Sequence, residues 1–209
     1  MLWRPEVRVE EQYIEARSLH VADEKVSVPC EVLAVGGALL NIDVELFLRL
    51  RPLLPPATKT FIIGNAWGFS TLLLASMFGP VDALDAEAGN CSFFGTAITR
   101  KLVEEKGLDV QLTVGASPAA VPDALRFPRY DLAFIDGLHT DDQVLADFEA
   151  VLPFLSPSCV VVLHDVVAFG MQQGVAEILD RYRDFQYVHF ASLRFQNRHG
   201  VGIAYRIDE

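Results

Sequence analysis

Two groups of polar residues in the second half of the chain have the types and spacing needed for acid–base or metal chemistry. The sequence IDGLH contains Asp136 and ends at His139, and the sequence VVVLHD ends with His164 and Asp165. Carboxylate oxygens are ligands for divalent cations, and an imidazole titrates near neutral pH and can act as a general base. We therefore expect Asp136 and Asp165 to bind a metal ion, and an imidazole beside them to be a candidate for a general base.

His164 leaves three interpretations open. It could be the third ligand of a Mn²⁺- or Fe²⁺-type site with Asp136 and Asp165, because imidazole prefers softer metals than Mg²⁺. It could instead be a catalytic base beside a two-carboxylate Mg²⁺ site, or belong to a site without metal. A structural interpretation also exists, in which IDG is a turn and His164 and Asp165 are a hydrogen-bonded pair closing a strand. Their joint position after two apolar runs favours function.

These polar residues must be positioned by the elements before them, and from about residue 59 short apolar runs alternate with helical patterns. That alternation predicts an α/β fold, a Rossmann-like doubly wound sheet that is mostly parallel. In such a sheet, ligands bind at the carboxyl ends of the strands. The predicted strands are Thr60 to Ile63, Val81 to Leu84, Val110 to Val114, Leu132 to Ile135 and Val160 to Leu163.

Helices are predicted between these strands, and an antiparallel hairpin is predicted after the last of them. The hairpin comes from two extended runs, Tyr187 to Leu193 and Val201 to Ile207, whose connection is short. Pro153 predicts an early end or a kink in the fourth helix. The predicted helices are Ser70 to Phe78, Cys91 to Lys106, Pro118 to Leu125, Asp141 to Leu155 and Gln172 to Arg183.

Residues 1–58 are predicted to be a small N-terminal appendage that packs on a domain formed by residues 59–209. Within it, Val26 to Val35 could be a strand, and a helix is expected to begin at Asn41 and to end before Pro52. The appendage could shape a substrate pocket or the contact of a homodimer.

A glycine turn follows the first strand, and an acid ends the second. Gly64 and Gly68 allow a tight turn close to a ligand, and Ser70 and Thr71 could cap the helix after it. Asp85 is placed to accept hydrogen bonds from both hydroxyls of a ribose. The combination predicts a nucleoside-containing cofactor, whereas the absence of GxGxxG and of a Gly-Lys-Ser/Thr ending argues against NAD and against a Walker A loop.

The turn from Ile63 to Thr71 resembles motif I of class I S-adenosylmethionine-dependent methyltransferases. The IDGxH turn and the later strand ending in HD resemble a more specific branch, methyltransferase family 24, which includes bacterial sugar and small-molecule O-methyltransferases. The resemblance covers about residues 40 to 207. The chain departs from the motif at Ile62, where an acid is common, and after the third strand, where only Ser117 is available near the adenine.

The resemblance implies methyl transfer from S-adenosyl-L-methionine to a hydroxyl of a small molecule, such as a sugar or a natural-product intermediate, with Mg²⁺ or Mn²⁺ as a further cofactor. It also implies that the turn passes under the methionine part of the donor. His139 lies three residues after Asp136, the offset at which catechol-type O-methyltransferases carry a basic lysine, and this resemblance makes His139 the first candidate for the base. Two alternatives stay open: a degenerate binding protein without catalysis, or a different metal-dependent enzyme on the same fold. The implied cofactor-binding residues are Gly64, Asn65, Trp67, Gly68, Ser70, Asp85, Ser117 and Asp136.

Composition limits the partners. The chain has 209 residues and a net charge of −11, which disfavours nucleic acid and anionic membrane surfaces as partners. No apolar run is long enough for a membrane span, and the first residues lack the apolar core of a secretory signal, so we expect a cytoplasmic location. The three cysteines, Cys30, Cys91 and Cys159, lack metal-site spacing and are interpreted as buried thiols.

Overall fold

The computed structural model describes residues 3–10, 13–21, 24–27, 41–88, 95–190 and 200–207. The strands in this part of the chain are β1 (Trp3–Glu10), β2 (Tyr13–Val21), β3 (Glu24–Ser27), β4 (Thr60–Ile63), β5 (Val81–Asp85), β6 (Val110–Val114), β7 (Tyr130–Ile135), β8 (Leu155–Leu163), β9 (Gln186–Phe190) and β10 (Val201–Arg206). The α-helices are α1 (Asn41–Leu50), α2 (Phe69–Phe78), α3 (Gly95–Lys106), α4 (Val121–Ala124), α5 (Asp141–Val151) and α6 (Gln172–Arg181). Short 3₁₀ helices span Arg51–Leu53 and Leu152–Phe154.

The main sheet has seven strands in the order β6-β5-β4-β7-β8-β10-β9. Strands β4 to β8 are parallel, and β10 is antiparallel to both β8 and β9. The predicted mostly parallel sheet with a terminal antiparallel hairpin is confirmed. The chain builds outward from β4 to β6 on one side and then returns to β7 on the other side of β4. This reversal is the topological switch point, where open α/β sheets bind ligands.

Two apolar clusters cover the two faces of the sheet. One joins α1, α2 and α3 to the sheet, and the other joins α4, α5 and α6 to the opposite face. Strands β4 and β7 contribute to both clusters, with Ile62 and Phe134 in the first and Phe61 and Ala133 in the second. Burial on both faces explains why these strands are continuous apolar runs.

Some predicted boundaries differ from those of the structure. Strand β8 begins at Leu155 rather than at Val160, because α5 ends at Val151 and a 3₁₀ turn around Pro153 leads directly into the strand. Helix α4 is limited to four residues, shorter than the predicted Pro118 to Leu125. The first residues of the predicted second helix, from Cys91, and the tip of the hairpin lie outside the described residues.

The N-terminal segment contains more strand than the sequence analysis predicted. Strands β1, β2 and β3 form a separate three-stranded antiparallel sheet, and β3 ends at Ser27. The remainder of the predicted strand up to Val35, including Cys30, lies outside the described residues. Helix α1 begins at Asn41 as predicted. The division of the chain at residue 58 stays a prediction.

Helix α1 is attached to the main sheet by its aromatic residue. Phe47 is fully buried, and its ring meets the ring of Phe134 edge-on, with the centroids 5.5 Å apart.

We expect Phe47→Ala to lower the free energy of unfolding by about 3–5 kcal/mol, since it removes a buried aromatic ring and leaves a cavity. Urea denaturation checks this value. Leu53→Ala is the control, because Leu53 is 77% exposed and should change the stability by less than about 0.5 kcal/mol. An unchanged stability of Phe47→Ala would show that α1 is not part of the core.

Candidate active site

The carboxyl ends of five neighbouring strands are joined by backbone hydrogen bonds across the switch point. These bonds extend the ladder one residue beyond each strand and fix the height at which the following residues leave the sheet. They run from Gly115 N to Asp85 O (2.8 Å), from Gly64 N to Leu84 O (2.8 Å), from Asp136 N to Ile63 O (2.8 Å) and from His164 N to Ile135 O (3.0 Å). The residues singled out from the sequence therefore lie along one edge.

The two glycines of the turn after β4 are required by packing. Gly64 and Gly68 have φ of +96° and +89°, a region in which side chains are unfavourable. A β-carbon on Gly64 would overlap the carbonyl oxygen of Asp136, and one on Gly68 would overlap the side chain of Thr99. The turn is thus pressed against the end of β7 and against α3, independently of any ligand.

Asn65 fixes the inside of this turn. Its buried amide accepts a hydrogen bond from the Thr71 hydroxyl (2.8 Å) and donates to the Thr99 hydroxyl and to the Ala66 carbonyl (3.0 Å each). The side chain is therefore occupied within the protein. The predicted capping by Ser70 and Thr71 is corrected: the N-cap of α2 is Gly68, which has no side chain, and the Thr71 hydroxyl donates to Asn65 instead.

Asp85 braces the turn from β5. One carboxylate oxygen accepts a hydrogen bond from the Ala66 N–H (2.7 Å), and the other accepts from the Glu87 N–H (2.6 Å). Each oxygen has a second lone pair, so the residue remains able to accept hydrogen bonds from two ribose hydroxyls. The free acceptor positions of Asp85 therefore fit the hydroxyls of the predicted nucleoside. That Asp85 binds the nucleoside stays a prediction.

Two other predicted cofactor residues lie beside this edge. Ser117 follows β6, and its carbonyl accepts a hydrogen bond from the Gln143 side chain (3.2 Å). The indole N–H of Trp67 is buried and has no hydrogen-bond partner among the described residues, whereas buried donors are ordinarily paired. That Ser117 and Trp67 bind the cofactor stays a prediction. Ile62, the departure from motif I, is fully buried in the core under α1 and α2, so an acid there would be costly.

Asp136, His139 and Asp165 come together as a cluster, which we call the acid–imidazole cluster. The Nε2 atom of His139 lies 3.1 Å from Asp136 Oδ1 and 3.7 Å from Asp165 Oδ2. One ligand atom from each residue lies within 4.8 Å of the other two, a spacing that could hold a metal ion. Asp165 has φ of +55°, a costly conformation for a residue other than glycine and one often found at functional sites.

His164 is buried among three carboxylates, those of Asp43, Asp136 and Asp165. It is only 6% exposed, and its Nδ1 lies 3.1 Å from Asp136 Oδ1 and 3.5 Å from Asp165 Oδ1. Its Nε2 lies 3.3 Å from Asp43 Oδ2. Its Nδ1 therefore adjoins both carboxylates of the acid–imidazole cluster, and its Nε2 adjoins Asp43. The group whose ligand atoms lie within 4.8 Å of one another contains His139 and not His164, and His164 as a metal ligand stays a prediction.

Asp43 is the residue that sequence reasoning missed. It lies in α1 and is 1% exposed. Asp43, Phe47 and Leu50 follow the i, i+4, i+7 spacing of one helix face, and Phe47 and Leu50 are buried. An acid on the apolar face of a helix was the available signal.

The charges within this group shift two pKa values in opposite directions. Burial would raise the pKa of Asp136, but the charge of His164 and hydrogen bonds from His139 and His164 outweigh it and lower that pKa. Burial would lower the pKa of His164, but the charges of Asp136 and Asp43 outweigh it and raise that pKa well above its ordinary value. The two carboxylates therefore favour the protonated form of His164.

Exposed apolar residues lie close to the acid–imidazole cluster in the sequence, and one of them, Phe169, contacts it. The ring of Phe169 is stacked on the ring of His139, with centroids 4.3 Å apart and planes 15° apart. Phe169 is 57% exposed, and Leu138, next to His139 in the chain, is 68% exposed. We call Leu138, Val167 and Phe169 the apolar rim. Such exposed apolar groups beside a polar cluster are typical of a ligand-binding surface.

Comparison with known families identifies the chain. The sequence profile of a family described as a methyltransferase domain, methyltransferase family 24, matches residues 61–166, about half of the chain. The protein belongs to this methyltransferase family. The matched range contains the glycine turn, Asp85 and every member of the acid–imidazole cluster. The class I methyltransferase predicted from these motifs is confirmed. No curated protein was found to match the sequence.

Solved structures share the fold of this methyltransferase. An O-methyltransferase from Bacillus cereus in complex with SAH has 20% identity and a TM-score of 0.68, over 84% of each chain. The O-methyltransferase TomG from Streptomyces achromogenes, in complex with SAM, has 21% identity and a TM-score of 0.63, over 80% of this chain and 79% of that one. An rRNA methylase from Streptococcus thermophilus has 14% identity and a TM-score of 0.62, over 84% of this chain and 100% of that one. At these identities the likeness establishes the fold.

Two expectations about location and thiols are tested only in part. In the ranges that the structure describes, no helix is long and apolar enough to span a bilayer. Cys159 is buried, as predicted, and burial raises the pKa of its thiol to about 11. The cytoplasmic location stays a prediction.

The opposite pKa shifts of Asp136 and His164 predict how the stability of the methyltransferase depends on pH. The pKa of Asp136 is lower in the folded protein than in the unfolded chain. Below about pH 4, Asp136 therefore contributes less to the free energy of unfolding as the pH falls. Above about pH 6.5 the folded protein keeps the His164 proton that the unfolded chain loses, so the contribution decreases as the pH rises, by up to about 1.4 kcal/mol per pH unit. Urea denaturation from pH 5 to pH 9 measures the alkaline decrease.

The alkaline decrease should be smaller in His164→Gln, which lacks the titrating imidazole. His189→Gln is the control, because His189 is an exposed histidine of β9 and its loss should leave the decrease unchanged. The same alkaline slope in His164→Gln and in the wild type would contradict the assignment.

Proposed function

We propose that this methyltransferase transfers the methyl group of S-adenosylmethionine to a hydroxyl of a small molecule. The observation that carries the proposal is the position of the acid–imidazole cluster. It lies at the switch point, where the carbonyl oxygen of Asp136 is in contact with Gly64 of the turn assigned to the donor. Donor turn and acceptor cluster are therefore adjacent. Similar structures of O-methyltransferases are complexes with SAH or SAM, which supports this donor.

The reaction is a displacement at the methyl carbon. The bond from that carbon to the donor sulfur breaks, its electron pair stays on sulfur, and S-adenosylhomocysteine leaves as a neutral thioether. A bond forms from the acceptor oxygen to the methyl carbon, and the hydroxyl proton must be removed. His139 is the base that we propose, because its ring is a quarter exposed and its Nε2 adjoins Asp136 and Asp165.

A divalent cation fits the two carboxylates. Asp136 and Asp165 offer hard oxygen ligands of the kind that Mg²⁺ and Mn²⁺ prefer, and their ligand atoms have suitable spacing. When bound, such a cation supplies positive charge that favours ionisation of an acceptor hydroxyl. The chain's own groups then hold the acceptor in line with the donor, which accounts for a large part of catalysis in two-substrate reactions.

The apolar rim selects between the acceptor classes predicted from the sequence. Leu138, Val167 and Phe169 offer apolar surface and no hydrogen-bond donors. A sugar requires polar partners for its hydroxyls, whereas a hydroxylated natural-product intermediate with an apolar ring can cover this rim. We therefore propose the second class. That the protein forms a homodimer, and that residues 1–58 help to shape the substrate pocket, stay predictions.

Methyl transfer is tested with radiolabelled S-adenosylmethionine and a panel of paired acceptors, phenols such as 2,3-dihydroxynaphthalene and sugars such as methyl glucoside, with and without Mg²⁺. We expect labelled phenol ethers. Labelled sugars instead would overturn the acceptor class. Binding of S-adenosylhomocysteine without transfer to any acceptor would favour the alternative of a binding protein without catalysis.

Asp85 is expected to determine the affinity for the donor. Asp85→Asn should weaken the binding of S-adenosylhomocysteine about 10- to 100-fold, because it removes charge-assisted hydrogen bonds to the ribose. Isothermal titration calorimetry measures the dissociation constant. The matched control is Asp123→Asn, an exposed acid of α4, which should bind like the wild type. Equal affinities of Asp85→Asn and the control would remove Asp85 from the donor site.

Metal binding is expected to depend on both carboxylates of the cluster. Calorimetric titration of metal-free protein with Mn²⁺ should show affinities at least tenfold weaker in Asp136→Asn and Asp165→Asn than in the wild type, because each variant loses an anionic oxygen ligand. His139→Gln should retain the affinity if His139 is the base and lose it if His139 is a ligand. Asp142→Asn, an exposed acid of α5, is the control. Unchanged Mn²⁺ binding in both carboxylate variants would argue against the site.

A further inference from the structure

Helix α1 contributes one carboxylate to the surroundings of the active site. Asp43 is 1% exposed, and its Oδ2 lies 3.3 Å from His164 Nε2. The helix is held in place one turn later, where Phe47 packs on Phe134. The ring of Phe134 also lies against the ring of His164, with centroids 5.5 Å apart. The ring of Phe134 thus contacts both His164 and the helix that carries Asp43.

His164 links Asp43 to the acid–imidazole cluster. Its Nδ1 forms a hydrogen bond with Asp136 Oδ1 at 3.1 Å, the oxygen that His139 also contacts. The orientation of the Asp136 carboxylate therefore depends on two imidazoles. Of these, His139 is partly exposed and His164 is buried and held at its far side by Asp43. Asp43 of α1, His164 after β8 and Asp136 after β7 thus form a continuous chain of alternating acidic and basic side chains.

Asp43 lies in the first turn of α1, where an acid interacts favourably with the helix dipole, but that interaction does not require the carboxylate to be buried. Its neighbours Val44, Leu46 and Phe47 are apolar and buried, and an apolar residue in such a place costs less desolvation than a carboxylate. Replacing a buried ion pair by apolar residues is often neutral or stabilising for the fold. The burial of a carboxylate at this position is better explained by its effect on the site.

We propose that Asp43 is a positioning residue of methyl transfer, which holds His164 and through it the carboxylate of Asp136. The inference rests on the proposed function, because Asp136 has a reacting partner only if an acceptor binds beside it. Groups that orient a functional carboxylate or imidazole from behind affect activity or metal affinity about 10- to 100-fold when they are replaced. Asp43 contacts neither donor nor acceptor in this proposal.

The test compares Asp43→Asn with the wild type and with Glu104→Gln, an exposed acid of α3 that serves as control. With the acceptor identified from the panel, Asp43→Asn should lower kcat at least tenfold. The KM for S-adenosylmethionine and the dissociation constant for S-adenosylhomocysteine should change less than twofold, because the donor is assigned to Asp85 and the glycine turn, whereas Asp43 is proposed to act on Asp136 through His164. A parallel loss of kcat, donor binding and thermal stability would indicate a merely structural role and overturn the proposal.

A double-variant cycle shows whether Asp43 acts through His164. Adding Asp43→Asn to His164→Gln should cause no further loss of kcat, whereas independent effects would multiply. Multiplying losses would overturn the proposed route. If Asp43→Asn does not fold, Asp43→Leu is compared with Asp43 in the His164→Gln background, where no buried imidazolium is left without a counter-charge.

A spectroscopic readout does not require an acceptor. In ¹⁵N-histidine-labelled protein, the side-chain N–H signal of His164, assigned by its absence in His164→Gln, should be protected from exchange in the wild type and lost or shifted in Asp43→Asn. The His139 signals provide the internal comparison. An unchanged His164 signal would overturn the proposal. Methylation of no acceptor, together with loss of this signal, would show that the proposed function fails while the coupling from Asp43 to His164 holds.

Discussion

The enclosure of His164 by carboxylates is the interaction on which the arrangement of the site depends. An imidazolium in apolar surroundings is stable only with counter-charges close to it, and the loss of one partner of a buried ion pair commonly costs about 3–5 kcal/mol. Asp43 and Asp136 supply those charges from elements that are far apart in the sequence. Helix α1 and the ends of β7 and β8 must consequently keep their relative positions whenever the protein is folded.

The backbone supports this requirement on the donor side. Gly64 lets the turn after β4 approach the carbonyl of Asp136 closely, while Asn65 and Asp85 fix the turn from within through hydrogen bonds to their neighbours. Any ligand above the turn therefore meets a surface whose shape is determined by packing rather than by the ligand. Such preorganisation is valuable in a displacement reaction, where small errors of alignment reduce the rate strongly.

The sequence was sufficient for the sheet and for most of the site. Strands buried on both faces are continuous apolar runs, so β4 to β8 could be recognised. Residues after parallel strands share an edge, so Asp136, His139, His164 and Asp165 could be expected together, although the metal ligands predicted there were Asp136, His164 and Asp165 and the spacing of the structure favours His139. The direction of the His164 ring could not be predicted, because it depends on Asp43 in a helix that is distant in sequence.

The N-terminal sheet shows a different kind of limit. In β1 the alternation of Glu6, Val7, Arg8 and Val9 carries a period-two signal, but the strand has little apolar content, and its pairing with β2 depends on tertiary context.

Pro153 indicated the 3₁₀ turn at Leu152–Phe154, whereas nothing in the sequence indicated that this turn leads directly into β8.

The insertion of β10 between β8 and β9 has a consequence for biosynthesis. Until Val201–Arg206 has left the ribosome, one edge of β8 lacks its hydrogen-bonding partner, and the Gly200 carbonyl that accepts from Val166 N–H is not yet in place. The nascent chain therefore carries an open, apolar strand edge through the synthesis of α6 and β9, a state that is prone to intermolecular pairing. Closure of the sheet, and with it the final setting of the loop after Asp165, is a late event in the folding of this protein.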